Sequence, residues 1–326
     1  MKGFLERPFR TPVIMKVGIT IPQVGETATR KNVIELVKAS EAEEIDSLWV
    51  LDRLLYPLAS KTPYSGTHNG NLPPSAQNVF DPIELLTFTA ANTNKIALGT
   101  SVLDMLFHNP VLLAKRFATL DVLSEGRLIC GLGIGWSKDE YHACNVPFKQ
   151  RGKRAIEFVE VLKRLWLDEI VEFKGQFYSI PASKVGPKPI QKPHPQIYLG
   201  AWCPQAFLRI VKSNASGWLA SMGVGVRSLQ YLENNIRTLR DLFEMTKGTN
   251  NDFKVIVLTY PQTELKCSPT GERIPFTGSV DLIGNDVQKV KEMGVDHIIF
   301  CYLFSKENKN TVKTLYLTKK LSEFTR

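Results

Sequence analysis

The sequence predicts an α/β protein folded as a single (β/α)8 TIM barrel with insertions, and three observations predict it. Apolar, strand-like runs alternate with amphipathic stretches along most of the chain. Eight such strand–helix steps are present, the number a closed parallel barrel needs. Two of the three longest connections follow a strand and precede a helix, the side on which barrels build their sites. A doubly wound open sheet gives the same alternation with fewer strands.

The elements follow in order. Lys16–Ile21 reads as the first strand, closed by Pro22, and Arg30–Glu44 as a helix with Val33, Leu36 and Val37 on one face. Asp46–Leu51 is the second strand; Pro82–Asn92 is a helix with Asp81 placed to cap it. Lys95–Val102 is the third strand, and Pro110–Leu123 a helix stopped near Gly126. Arg127–Leu132 is the fourth strand, followed by the amphipathic stretch Ala155–Trp166. Gln196–Gly200, Gly217–Ser221, Phe253–Tyr260 and His297–Tyr302 are the last four strands. Their helices fall at Gln205–Lys212, Arg227–Met245, Val280–Met293 with Ser279 as cap, and Thr311–Phe324. The long connections are Arg53–Phe80, Ile170–Pro195 and Pro261–Gly278. The first 14 residues form an extension ahead of the barrel domain, 15–326.

Composition narrows the function. The chain has 326 residues, 43% hydrophobic and 22% charged, enough apolar material for a large core. Its net charge of +9 is scattered, with no long basic run interleaved with aromatics, so nucleic acid is disfavoured and an anionic ligand is not. Five cysteines, an odd count without a CxxC pair, argue against a disulfide framework or a zinc site and fit a reducing cytoplasm. No apolar run approaches the length of a membrane span.

Four places carry candidate chemistry. Gly131-Leu132-Gly133-Ile134-Gly135-Trp136 follows the fourth strand; its glycines allow either a tight turn or close approach to a ligand, and the spacing is not the dinucleotide fingerprint. Gly200-Ala201-Trp202-Cys203-Pro204 opens a helix, where backbone N–H groups can hold an anion or simply start the helix. Asp52-Arg53 closes the second strand, either as a cofactor contact or as a solvated ion pair. Asp104 and Glu140 are polar candidates by strand-end placement, Glu140 as ligand contact or as helix cap. His108 precedes Asn109-Pro110, with a structural or capping role as plausible as catalysis. No metal-ligand spacing and no GxSxG elbow occurs. No lysine at a strand end suggests a Schiff-base lyase of the phosphate-binding barrel type.

These pieces in this order resemble the bacterial luciferase-like monooxygenase superfamily of flavin- and deazaflavin-dependent oxidoreductases. The resemblance runs from Met15 to about Tyr302. It rests on Lys16–Pro22, Asp46–Asp52, Ile96–Val102, Asn109-Pro110 with Leu113–Lys115, Thr119–Arg127, Gly131–Trp136, Glu140-Tyr141, Gly186–Pro189, Tyr198–Gly200, Gly217-Trp218, Phe276–Ser279 and Gly294–Asp296. It implies a flavin-type ring at the carboxyl end of the barrel. It also implies a non-proline cis peptide at Ser101–Val102 behind that ring, ring contacts from Gly133, Gly135 and Trp136, and a phosphate segment at Gly200, Ala201, Trp202 and Cys203. Two departures stand out. Arg53 replaces a histidine that is catalytic in many relatives, and Trp136 replaces the glutamate of the deazaflavin sugar-phosphate dehydrogenases. The expectation is therefore a monooxygenase acting on a small organic substrate with reduced FMN and O2, served by a separate flavin reductase and working as a homodimer. The alternative is a hydride-transferring enzyme using deazaflavin coenzyme F420; a second alternative is a non-catalytic flavin-binding barrel.

Overall fold

A computed structural model of the chain describes residues 14–67, 69–201, 204–222, 228–247, 253–268 and 270–326. Most of the expected N-terminal extension, together with Trp202 and Cys203, lies outside the described residues.

Eight parallel strands form the wall: β1 (Lys16–Thr20), β2 (Ser47–Val50), β3 (Ala97–Thr100), β5 (Leu128–Gly133), β8 (Gln196–Gly200), β9 (Gly217–Ser221), β10 (Lys254–Thr259) and β11 (His297–Phe300). The order β3-β2-β1-β11-β10-β9-β8-β5 closes on itself, because Leu98 and Gly99 pair with Leu128 and Ile129. The expected barrel is thus observed, and the open sheet is not. A two-residue strand, β4 (Leu103–Asp104), continues β3 along β5.

The helices between strands are α1 (Arg30–Ala42), α2 (Pro82–Ala90), α3 (Pro110–Leu123), the short α4 (Lys138–Ala143), α5 (Arg151–Leu167), α6 (Pro204–Lys212), α7 (Leu229–Lys247), α8 (Val280–Glu292) and α9 (Thr311–Ser322). Their starts follow local chemistry. Asp81 accepts from the N–H groups of Ile83 and Glu84, and Ser279 from that of Leu282, as expected. Asn109, not His108, caps α3. The connection 170–195 contains a hairpin, β6 (Val171–Lys174) and β7 (Ser179–Ser183), whose turn is held by Glu157 accepting from Gln176, Phe177 and Tyr178. No helix among the described residues is long and apolar enough to cross a membrane.

Two apolar layers result. The larger lies between strands and helices; the smaller fills the cylinder with Trp49, Tyr198, Leu219, Ile256, Leu258 and Ile299. Trp49 fits because its neighbours across both flanking strands are Gly18 and Gly99, where a Cβ would overlap the indole. Its Nε1 donates to Ser47 Oγ at 2.6 Å, and Ser47 Oγ stands 2.7 Å from His297 Nε2. This polar chain ties β2 to β11 beneath Gly18.

The block Thr119–Arg127 proves structural. Arg127 donates to the carbonyls of Ala90, Thr93, Ile96 and Ser124, and Asp121 accepts from Ile190 N, Gln191 N and Gln191 Nε2. Together they fasten the α2–β3 turn and the end of the hairpin connection to the barrel.

One irregularity shapes the upper rim. Gly99 pairs with Ile129 and Leu103 with Leu132, so four steps on one strand face three on the other. This is a bulge with one extra residue. Below it Gly99 faces the cylinder; above it Val102 belongs to the interior layer and Leu103 to the outer one. The inward phase passes from odd to even residues, and Asp104 turns inward.

Candidate active site

The carboxyl ends of the strands form a mouth that solvent reaches. Strand bodies are buried, yet the inward residues at the tips, Leu51, Val102, Gly200, Ser221 and Tyr260, are half-buried. Solvent therefore enters the top of the cylinder while Trp49 and its layer seal the bottom.

On one side of the mouth the bulge packs closely on its neighbours. The Ser101–Val102 peptide is cis, as the resemblance implies. A Cβ on Gly133 would overlap Val102 and Asp104, and one on Gly200 would press on Val102 at 3.3 Å. These glycines are what let Val102 stand between β5 and β8. Gly131, within β5, leaves room for the carbonyl of Thr100. Only Gly135, with φ of +69°, makes a turn, under Phe107 and Tyr141. The glycine spacing thus serves close packing of the bulge as well as the turn. Ala201 is buried, its carbonyl accepting from Trp218 Nε1.

The four polar candidates, spread over three elements, come together. Arg53 Nη1 donates to Glu140 Oε2 at 2.8 Å, with side chains 9% and 0% exposed. Glu140 Oε1 accepts from Leu54 N and Leu55 N. Asp52 Oδ2 accepts from Asp104 N at 3.0 Å, and His108 Nε2 lies 4.0 Å away. The reading of Asp52-Arg53 as a solvated ion pair is therefore corrected: the arginine is buried and pairs with Glu140 from α4, not with its neighbour. Glu140 is neither exposed to ligand nor the cap of α4, a role Ser137 fills; it anchors the start of the β2–α2 connection. Its neighbour Asp139 accepts from Lys61 N, and Thr62 Oγ1 from Lys138 N.

Electrostatics separate the carboxyls. Burial pushes Asp104 well above the usual carboxylate range, the charges of Asp52 and Glu140 push it further, and Arg53 pulls back weakly. Burial also raises Glu140, against Arg53 and the Leu54 and Leu55 N–H groups. Since both Glu140 oxygens receive N–H donors, the geometry suits its ionised form.

Of the aromatic part of the mouth, sequence reading named Trp136 and missed Tyr64 and Tyr260. Trp136 stacks under the Arg53 guanidinium at 5.0 Å, and Tyr64 packs on Trp136 at 5.4 Å between ring centres. Burial raises the hydroxyls of Tyr260 and Tyr64 above the ordinary tyrosine value. Among the described residues, no three His, Cys, Asp or Glu side chains gather in a metal-like group; Cys130, Cys144, Cys267 and Cys301 are free thiols.

A closed (β/α)8 barrel with a solvent-reached mouth lined by buried carboxyls, an arginine and aromatic rings is the class that fold and site define. The chain belongs to the luciferase-like monooxygenase family, whose model matches residues 15–263. It is 30% identical to an uncharacterized protein of Mycobacterium tuberculosis over 56% of this chain and 65% of that protein. It is 30% identical to the FMNH2-dependent dimethylsulfone monooxygenase of Pseudomonas putida, over 50% of this chain and 45% of that one. With the F420-dependent glucose-6-phosphate dehydrogenase of Amycolatopsis mediterranei it shares 29% identity over 60% of this chain and 55% of the other. The chain thus spans less than two thirds of the length of each of these relatives. A solved F420-dependent secondary alcohol dehydrogenase superposes with a TM-score of 0.76 at 15% identity, covering 96% of this chain and 99% of that one, a likeness of fold.

Proposed function

We propose that the chain is an oxidoreductase of the luciferase-like type, acting on a small organic molecule with reduced FMN and O2. The observation that supports this most is the mouth itself, where the Val102 bulge, wedged between Gly133 and Gly200, meets the cluster of Asp52, Arg53, Asp104 and Glu140. A flat, mostly apolar ring suits such a surface, which offers apolar face from Leu51 and Val102 and polar atoms from Asp52, Asp104 and Ser221. When bound, the coenzyme supplies the two-electron step, toward O2 for reduced FMN or as hydride for a deazaflavin. The proposed ring contacts are Ser101, Val102, Gly133, Gly135 and Trp136. Gly200 and Ala201 begin the proposed phosphate segment, whose Trp202 and Cys203 lie outside the described residues. Asp52 and Arg53 are the proposed catalytic groups. Arg53 is proposed to stabilise negative charge that develops during the reaction rather than to shuttle a proton. Asp104 is the carboxyl whose surroundings favour holding a proton at Oδ. A separate flavin reductase and a homodimer belong to the same reading.

A hydride-transferring, F420-dependent activity is the second reading, supported by the likeness to the Amycolatopsis dehydrogenase. Titrating the purified protein with FMN and with F420 while following thermal unfolding decides between them. A ligand at about 100 times its Kd adds about 2.7 kcal/mol. No shift with either coenzyme would end both readings; a stable FMN complex without turnover would favour a non-catalytic flavin-binding barrel.

A further inference from the structure

The charges at the mouth are compensated within the protein. Arg53 gives Nη1 to Glu140 and its guanidinium face to Trp136. The other Glu140 oxygen is taken by Leu54 N and Leu55 N, and His108 leans on Asp52. Among the described residues at the strand tips, the Arg53 cation is already paired with Glu140 and stacked on Trp136, while Asp52 would repel an anionic group. What faces the opening instead is apolar or aromatic: Leu51, Val102, Trp136, Tyr64 and Tyr260, all half-buried.

Tyr64 occupies an unusual position among them. It comes from the connection after β2, yet its ring meets Trp136 after β5, and its hydroxyl is within electrostatic reach of Cys301 after β11 and Tyr260 after β10. In the closed order of strands, β5 and β11 stand on opposite sides. Tyr64 therefore stands over the opening on the Trp136 side. The chain around it is fixed on the near side by the bonds of Lys61 and Thr62 to α4.

We propose that the mouth takes an uncharged, largely apolar substrate, held against Trp136 beneath Tyr64, and that Tyr64 sets its specificity. The chemistry done on that substrate rests on the coenzyme reading above; the binding preference does not. Among the described residues, an anion entering here gives up its hydration beside Asp52 and an arginine already paired, whereas an apolar molecule gains contact with rings that water otherwise wets.

Dialkyl sulfones and alkanesulfonates of matched length differ by one charge at nearly the same shape, and they test this directly. Tryptophan fluorescence reads their binding to coenzyme-free and coenzyme-loaded protein, and visible absorbance reports loading. The sulfone is expected to bind at least about tenfold more tightly than the sulfonate. Tyr64→Ala should weaken the sulfone about tenfold while coenzyme affinity stays within about twofold, and Tyr64→Phe should keep the sulfone affinity. Equal or tighter binding of the sulfonate, binding of neither, or a sulfone affinity indifferent to Tyr64→Ala overturns the proposal. A protein that takes the sulfone selectively but no coenzyme supports it and counts against the coenzyme reading alone.

Discussion

Glu140 is a fully buried side chain on which donors from Arg53, Leu54 and Leu55 converge. Removing it alone leaves the Arg53 charge buried without a partner, a change that costs about 3–5 kcal/mol. Glu140→Ala should lose about that much in urea unfolding, and Glu140→Gln less, because a carbonyl oxygen can still accept from Leu54 and Leu55. Unchanged stability in Glu140→Ala would mean the pair does not fasten the connection. Asp104 behaves oppositely. Its folded pKa is raised, so the unfolded chain releases the proton first, and stability falls as pH climbs from the unfolded value near 4 toward the folded one. Asp104→Asn removes that loss: the variant should gain on the wild type at pH 7 and match it near pH 3, as read from unfolding midpoints at the two pH values. The residue scale is also where sequence is least legible. Asp52 and Arg53 are adjacent in the chain but point to different partners, and 87 residues separate Arg53 from Glu140. Spacing gives no sign of such a pair.

Elements were legible wherever burial and periodicity agree. Each barrel strand is an apolar run, because a strand covered on both faces has no polar phase. Each capped helix announces its start, as Asp81-Pro82 and Ser279 do. The β6–β7 hairpin was not legible: Val171–Lys174 alternates over only four residues, and its turn depends on Glu157, which belongs to α5. Nor does any pattern tell that Trp49 needs Gly18 and Gly99 beside it, since the three lie on separate strands. That packing has a measurable consequence. Gly99→Ala should destabilise by about 1–3 kcal/mol through overpacking. In a double-mutant cycle with Trp49→Leu, which opens space for the new methyl, part of that loss should return, a coupling of about 0.5–3 kcal/mol. Strict additivity would place the strain elsewhere than at the indole.

For the whole molecule, closure of the cylinder is the central fact, and a histidine marks its seam. His297 is buried beside Ser47, and burial, with Lys16 nearby, lowers its pKa to about 3. The neutral ring is the folded form, whereas the unfolded chain takes up a proton below about pH 6.5. The contribution is therefore intact above that value and lost as pH falls toward the folded pKa. At pH 4.5 the loss amounts to about 2–3 kcal/mol. His297→Gln, which stays uncharged, should flatten the fall in melting temperature between pH 6.5 and 4.5 relative to wild type. An equally steep fall would assign the acid sensitivity to the carboxylates. The bulge after β3 acts on the same cylinder at less cost. A strand's side chains alternate, so bulging out one residue acts like a half-turn of a key: everything above it lies on the opposite side from where the unbulged strand would put it, while everything below stays put. The same residues paired without the bulge would close the same barrel and seal the same floor, yet point Leu103 at the opening and Asp104 at the helices. In this architecture whether one residue is taken up as a bulge or kept in the ladder decides the chemistry of the rim without touching the scaffold beneath it.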